Sequence, residues 1–159
     1  MKIFVVDDQP FIRDTIKVFL KDKFPEDEVS IFETGESALH ELDEKTNAII
    51  LDFNLDSKEV KAHNGVEILK QIKKMLPFVP VIMLTANDHP SVAIDTIKYG
   101  AYDYVVKNEN AFVRLQLLLG KIHGYNQLQK QYDLRRTINI VLWLSLAIIT
   151  VTILVICFS

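Results

Sequence analysis

Five short apolar runs recur along the chain at a spacing of about twenty to thirty residues, and this alternation constrains the fold more than any other feature. Each run has the length of a β-strand, and helical patterns lie between the runs. Because continuous apolar strands are buried on both faces, they indicate a parallel sheet with helices on either side. Right-handed crossovers then close the chain into a doubly wound α/β fold. The predicted strands are residues 2–6, 28–32, 47–51, 80–84 and 102–106.

Five helices are predicted between and after these strands. Pro10 suits the first turn of the first helix, and Pro77 stops the third. Together with the strands they make one domain over residues 1–122. The predicted helices are residues 11–20, 35–44, 65–76, 91–99 and 109–122.

The chain ends in an apolar stretch, residues 138–158, that contains no charged residue. Apolar residues occur around its whole circumference, which favours a membrane span over a buried hairpin or a coiled-coil helix. About twenty residues at roughly 1.5 Å each cross the ~30 Å hydrocarbon core of a bilayer. A polar linker, residues 123–137, precedes it and carries Lys130, Arg135 and Arg136. These basic residues predict a single-pass protein of the inner (cytoplasmic) membrane, in contact with lipid, whose domain lies in the cytoplasm.

Charge and cysteine content exclude two further possibilities. The net charge of -3 and the pI near 5.8 argue against a nucleic-acid-binding surface, which needs clustered basic residues, so no nucleic-acid partner is expected. The single cysteine, Cys157, excludes a disulfide within the chain.

Polar residues follow four of the predicted strands at their carboxyl ends, which is the edge where folds of this type bind ligands. The first strand is followed by Asp7 and Asp8, the third by Asp52, the fourth by Thr85 and the fifth by Lys107. Three carboxylates at one edge require raised pKa values or a cation, most simply Mg²⁺. With Lys107 and Thr85 they suit a phosphoryl group held on an aspartate. Asp52 is the best candidate acceptor because its strand lies in the middle of the sheet.

Four motifs in this order resemble the receiver domain of two-component response regulators, the CheY-like family. They are VVDDQP, IILDFNL, VIMLTAND and YGAYDYVVK, and they extend over residues 1 to about 122. The resemblance implies a flavodoxin-like sheet with strand order 2-1-3-4-5. It also implies that Asp52 accepts a phosphoryl group from a phosphohistidine on a histidine kinase or phosphotransfer protein.

The resemblance further implies how the site works. Asp8, Asp52 and the backbone carbonyl of Asn54 would bind Mg²⁺, and Asp7 would act through water. Thr85 and Lys107 would contact the phosphoryl oxygens.

The resemblance also implies a switch made of Thr85 and Tyr104. This switch would change the face formed by the predicted helix 91–99, the fifth strand and the last domain helix.

Two features depart from the family pattern. Asn108 follows Lys107 where the family usually has proline, and residues 54–65 form a longer segment than is typical.

The sequence therefore predicts a membrane-anchored phosphoacceptor signalling domain and not an enzyme, since it would catalyse at most its own phosphorylation and dephosphorylation. It would signal by contact with an unknown downstream protein, and a homodimer is left open. A phosphorelay intermediate, a phosphate sink and a non-phosphorylated membrane scaffold are alternatives. A phosphohydrolase of the haloacid dehalogenase type would need a second aspartate where Asn54 stands. For the Asp7–Asp8 pair, a helix cap before Pro10 is the structural alternative.

Overall fold

The structure is a computed structural model that describes residues 1–55, 65–86, 94 and 96–158. The chain divides into two compact units, Met1–Ile122 and His123–Ser159. The first unit contains a five-stranded parallel sheet in the order β2-β1-β3-β4-β5, which confirms the predicted fold class and strand order. The strands are β1 Lys2–Val6, β2 Glu28–Phe32, β3 Thr46–Asp52, β4 Val81–Thr85 and β5 Asp103–Val106.

The structure gives bounds for four helices, and each begins at or near its predicted first residue. Pro10 occupies the first turn of α1, and the hydroxyl of Thr34 caps α2 by accepting the Ser37 N–H at 3.2 Å. The predicted helix 35–44 is too long, because Leu42 is extended and α2 ends before it. Of the predicted helix 91–99, residues 94 and 96–98 are helical, and residues 91–93 and 95 lie outside the described residues. The helices are α1 Pro10–Lys23, α2 Gly35–Glu41, α3 Gly65–Met75 and α4 Ala111–Phe158.

Side chains of the central strands alternate between two core layers, as the two-residue period of a strand requires. One layer packs against α1 and the start of α4, and the other packs against α2 and α3. Both faces of the sheet are therefore buried, and its carboxyl edge is where polar groups can reach solvent. The first layer includes Ile3, Val5, Ile50, Ile82, Leu115 and Leu119, and the second includes Phe4, Val6, Ile49, Met83, Ile68 and Leu69.

The last helix differs from its prediction. Residues 123–137, predicted as a polar linker between the domain and the tail, are helical and lie within the helix Ala111–Phe158. No proline interrupts this stretch, and its linker residues include the good helix formers Gln, Lys, Arg and Leu. Polarity therefore identified an exposed segment but not its conformation.

In the second unit the large apolar side chains whose exposure the structure describes stand exposed, from 49% for Ile138 to 76% for Ile156. In the part of the chain that the structure describes, one helix is long and apolar enough to cross a membrane, and it falls within Ala111–Ile153. None of its qualifying stretch is buried inside the protein. Length and composition alone also fit some helices of soluble proteins.

Candidate functional site

Asp52 is the last residue of β3, the central strand of the sheet, and its side chain is only 1% exposed. The next residue continues the pairing with β4, since the Phe53 N–H donates to the Leu84 carbonyl at 2.7 Å. The carboxylate is thus fixed at the middle of the carboxyl edge. A buried carboxylate in this place needs charge compensation from its neighbours.

The two aspartates after β1 reach the same edge. Asp7 is fully buried, and its Oδ1 accepts the Gln9 N–H at 2.9 Å. Helix α1 begins at Pro10 with Gln9 as its N-cap residue, and that cap makes no side-chain hydrogen bond. The Asp7 carboxylate thus bonds the backbone just before the helix, whereas the residue at the N-cap position itself is Gln9. Asp8 is half-buried and completes the group.

Lys107 joins two of the three carboxylates. Its Nζ lies 2.8 Å from Asp7 Oδ2 and 3.0 Å from Asp52 Oδ1. Its position is set by the backbone, because the Lys107 N–H donates to the Thr85 carbonyl at 2.7 Å at the end of β4. One ammonium group from the fifth strand thereby compensates part of the negative charge contributed by the first and third strands.

The negative charge of the three carboxylates exceeds the positive charge of Lys107, which favours binding of a further cation. Burial raises the pKa of Asp52 to about 6; Lys107 opposes this shift, and the charge of Asp7 adds to it. Burial alone would lower the pKa of Lys107, but its contacts with Asp7 and Asp52 outweigh that effect and raise it. Even with Lys107 beside it, therefore, the Asp52 carboxylate remains under-compensated.

The donor set fits a hard divalent ion. One carboxylate oxygen from each of Asp7, Asp8 and Asp52 lies within 4.8 Å of the others. Both oxygens of Asp52 are buried, and among the described residues the groups that favour its charged form are the Lys107 ammonium and the Asn54 backbone N–H. Mg²⁺ binds oxygen ligands and is favoured by negative charge that no other group compensates. Asn54, whose carbonyl the sequence also assigned to the metal, follows two residues after Asp52 and has an exposed side chain.

The remaining predicted residues occupy neighbouring strand positions. Thr85 is the last residue of β4 and is buried, and it is paired with Val106 of the neighbouring strand β5. Tyr104 lies in β5, partly buried against the core layer of α2 and α3. On its other side, the Arg114 guanidinium lies 6.0 Å from the ring centre. Asn108 follows Lys107 without a cis peptide, since none occurs in the described chain.

Two supporting residues escaped sequence reasoning. Arg13 Nη1 donates to the Asp7 carbonyl at 2.6 Å, which ties α1 to the acidic turn. Gly65 starts α3 directly against the end of β3, where a Cβ would collide with the Asp52 carbonyl oxygen and the Phe53 backbone. Its N–H also donates to the Phe53 carbonyl at 3.0 Å. The glycine following a long polar segment was the available sequence signal for this close approach.

Comparison with known proteins assigns the first unit to a family. Residues 3–119 match the model of the response regulator receiver domain. An NtrX-like response regulator of Rickettsia felis is 38% identical over 111 residues, a match that covers 69% of this chain and 22% of that protein. The chemotaxis protein CheY of Listeria monocytogenes is 35% identical over 108 residues, which cover 67% of this chain and 86% of that protein.

Solved structures agree with this assignment. The receiver domain of NtrX from Brucella abortus has a TM-score of 0.66 and 31% identity, covering 76% of this chain and 96% of that one. The match to the NtrX-like relative spans about a fifth of that longer protein, so the likeness concerns its receiver portion. The family match covers the sheet, its helices and all three clustered carboxylates. This chain belongs to the response regulator receiver domain family.

Proposed function

We propose that this protein is a membrane-anchored receiver that accepts a phosphoryl group on Asp52 and signals through protein contact. The observation that carries the proposal is the buried Asp52 carboxylate beside Asp7, Asp8 and Lys107 at the carboxyl edge of the sheet. Receiver domains are signalling domains and not classical enzymes, and they typically interact with histidine kinases or phosphotransfer proteins. Such a protein is the proposed donor.

In the proposed reaction an Asp52 oxygen attacks the phosphorus of a phosphohistidine. A phosphorus–oxygen bond forms, the phosphorus–nitrogen bond breaks, and the imidazole leaves with the bonding electron pair. A pKa of about 6 leaves most Asp52 ionised at neutral pH, so it is ready to act as the nucleophile. Lys107, which now neutralises Asp52, would neutralise the phosphoryl oxygens, and Thr85 would bind another of them.

Receiver domains bind Mg²⁺ at their acidic cluster. Here Asp8, Asp52 and the Asn54 carbonyl would hold the ion, and Asp7 would contact it through water. When bound, Mg²⁺ neutralises charge on the transferring phosphoryl group. Asp7 would also orient Lys107, since its Oδ2 lies 2.8 Å from the Lys107 Nζ.

The proposed output is a change in packing around β5. Thr85 would move toward the phosphoryl group, and Tyr104 would pack further inward behind it. Tyr104 already borders a cavity of about 240 Å³ formed by β5 and the start of α4, together with Arg114. Arg114 is held by Asp103, with Nη2 at 3.1 Å from Oδ1, so movement of Tyr104 would alter a charged surface that a downstream protein could read.

The tail would anchor this switch to the inner membrane, with the receiver in the cytoplasm. Its apolar side chains are exposed on all sides, and the basic residues Lys130, Arg135 and Arg136 precede it. Insertion into lipid would remove the apolar surface of this helix from contact with water. Anchoring would raise the effective concentration of the receiver near membrane-bound partners.

The phosphoryl chemistry is tested by labelling the full-length protein with radioactive acetyl phosphate and Mg²⁺. We expect acid-labile label on the wild type and none on Asp52→Asn. The matched control is Asp14→Asn, because Asp14 is an exposed aspartate of α1 outside the site, and it should label like the wild type. Label of equal intensity on Asp52→Asn and the wild type would refute the acceptor assignment, and the absence of label on both proteins would favour a non-phosphorylated scaffold.

Anchoring is tested separately by carbonate extraction of membranes from cells that make the full chain or a chain ending at Arg136. The full chain should stay with the membrane, and the shorter chain should be released while it retains phosphorylation by acetyl phosphate. Release of both chains would leave the receiver chemistry intact and remove the anchor from the proposal.

A further inference from the structure

Three of the four large hydrophobic or aromatic side chains exposed in segment 123–137 share one side of the helix, and Leu134 is the fourth. Tyr125, Leu128 and Tyr132 are 66%, 67% and 66% exposed, respectively. Their spacing of three and four residues places them on one face of the helix. A helical segment of this length in water draws most of its stability from packing such a face. Packing of this face against a partner surface would therefore stabilise the segment.

The spacing of these residues continues into the apolar tail. When Tyr125 and Tyr132 take position a of a seven-residue repeat and Leu128 takes position d, Arg135 and Asn139 follow at the next d and a positions. All later a and d positions of the tail are Leu or Ile. They are Leu142, Leu146, Ile149, Ile153 and Ile156.

The polar residues of the tail lie on the same side as this repeat. Asn139 is at position a, Thr150 at e, and Ser145 and Thr152 at g, so none occupies the outward positions b, c or f. The Ser145 and Thr152 hydroxyls donate to carbonyls of their own helix, each at 2.8 Å. They therefore offer small size at a contact without an unmet hydrogen bond, which is typical of helices that pack together in lipid.

We propose that a second copy of this chain covers this face and that the two helices pair in parallel along the a and d positions from Tyr125 to Ile156, the 125–156 seam. The parallel direction rests on the proposed membrane anchor, because two tails inserted from one side run the same way. A single Asn at an a position, here Asn139, also specifies parallel two-stranded pairing in coiled coils.

Charge along the aqueous part of the seam permits self-association. Gln129 and Arg136 occupy the flanking e positions, and Gly124 and Gln131 occupy the g positions, so the e and g pairs of a parallel dimer bring no two like charges together. Lys130 and Asp133 fall at the outward positions f and b. Arg135 is the charged d residue, and its long side chain can extend toward lipid headgroups at the end of the aqueous segment.

The proposal is tested by cysteine cross-linking of the full chain in membranes, with Cys157→Ser removing the native thiol. Leu128→Cys should form a disulfide-linked dimer under mild oxidation at least about tenfold faster than Leu134→Cys, because only the seam brings two Cβ atoms within disulfide range. Leu134 is the matched control, since it is equally apolar and 61% exposed but occupies position c.

A second measurement uses Tyr125→Ser, Leu128→Ser and Tyr132→Ser combined, with Leu134→Ser as control. Sedimentation in detergent should give a monomer for the triple variant and a dimer for the control. Equal cross-linking at Leu128 and Leu134, or a monomeric wild type, would overturn the pairing. Carbonate extraction and acetyl phosphate labelling of the same preparations report the anchor and the chemistry independently, so failure of the seam is distinguishable from failure of the proposed function.

Discussion

The carboxyl edge of the sheet and the helix beyond Ile122 both reverse the usual rule that charged side chains are exposed and apolar side chains are buried. At the sheet edge, charged groups are buried and fixed by neighbours, as Lys107 is by Asp7 and Asp52. Beyond Ile122, apolar groups such as Trp143, at 71%, are exposed. Burial makes the charges at the sheet edge unfavourable until a cation or a phosphoryl group compensates them. The exposed apolar surface of the helix is unfavourable in water until lipid or another helix covers it. These features support the proposals that the first region is a site for chemistry and the second a surface for association.

The largest expected contrast between these regions comes from removing buried and exposed leucines. Leu119 is fully buried, so Leu119→Ala should lower the free energy of unfolding of the receiver by about 2–5 kcal/mol. Leu144→Ala, at a side chain that is 60% exposed, should leave it unchanged. Hydrogen exchange of the slowest β1 and β3 amides in detergent-solubilised protein measures both. A similar loss for the two variants would mean that the tail packs as part of the receiver core.

The next effect concerns the cost of the buried Asp52 charge in metal-free buffer. Because the folded pKa is raised from 3.8 to about 6, the folded state binds more protons than the unfolded state in that interval. The stability contribution of Asp52 is thus present below pH 4 and lost as pH rises through 6. At pH 7, Asp52→Asn should be more stable than the wild type by up to about 3 kcal/mol.

Chemical unfolding with EDTA between pH 4 and pH 7.5 measures this difference, with Asp14→Asn as the exposed control. Adding Mg²⁺ should stabilise the wild type and not Asp52→Asn. A wild type whose stability does not fall relative to Asp52→Asn across this range would show that Lys107 alone compensates the charge.

The smallest expected effects come from two glycines. Gly65→Ala pushes a methyl group into the backbone at Asp52 and should destabilise the receiver by about 1–3 kcal/mol. Gly124→Ala meets open space and should stabilise its helix by about 0.5–1 kcal/mol. Thermal unfolding and acetyl phosphate labelling of both variants test the difference. We expect only Gly65→Ala to slow labelling, because it displaces the end of β3.

Sequence reasoning performed unequally across the molecule for physical reasons. The strand-end positions of Asp7, Asp52 and Lys107 followed from the alternation of strands and helices, since parallel strands end at one edge. The double contact of Lys107 did not follow, because it depends on the lengths and orientations of side chains from three strands. The continuous helix through residues 123–137 was missed because polarity reports exposure and not backbone conformation.

The sequence by itself determined the doubly wound sheet, the residues at its carboxyl edge and the charge-free C-terminal stretch, because these depend on periodicity and residue type, whereas the strand order followed from the family resemblance. Only the tertiary structure decided that Gly65 lies against the Asp52 backbone, that Arg13 holds the Asp7 turn, and that burial outweighs Lys107 in setting the Asp52 pKa. Each of these depends on distances between residues far apart in the chain, and a linear pattern does not encode such distances.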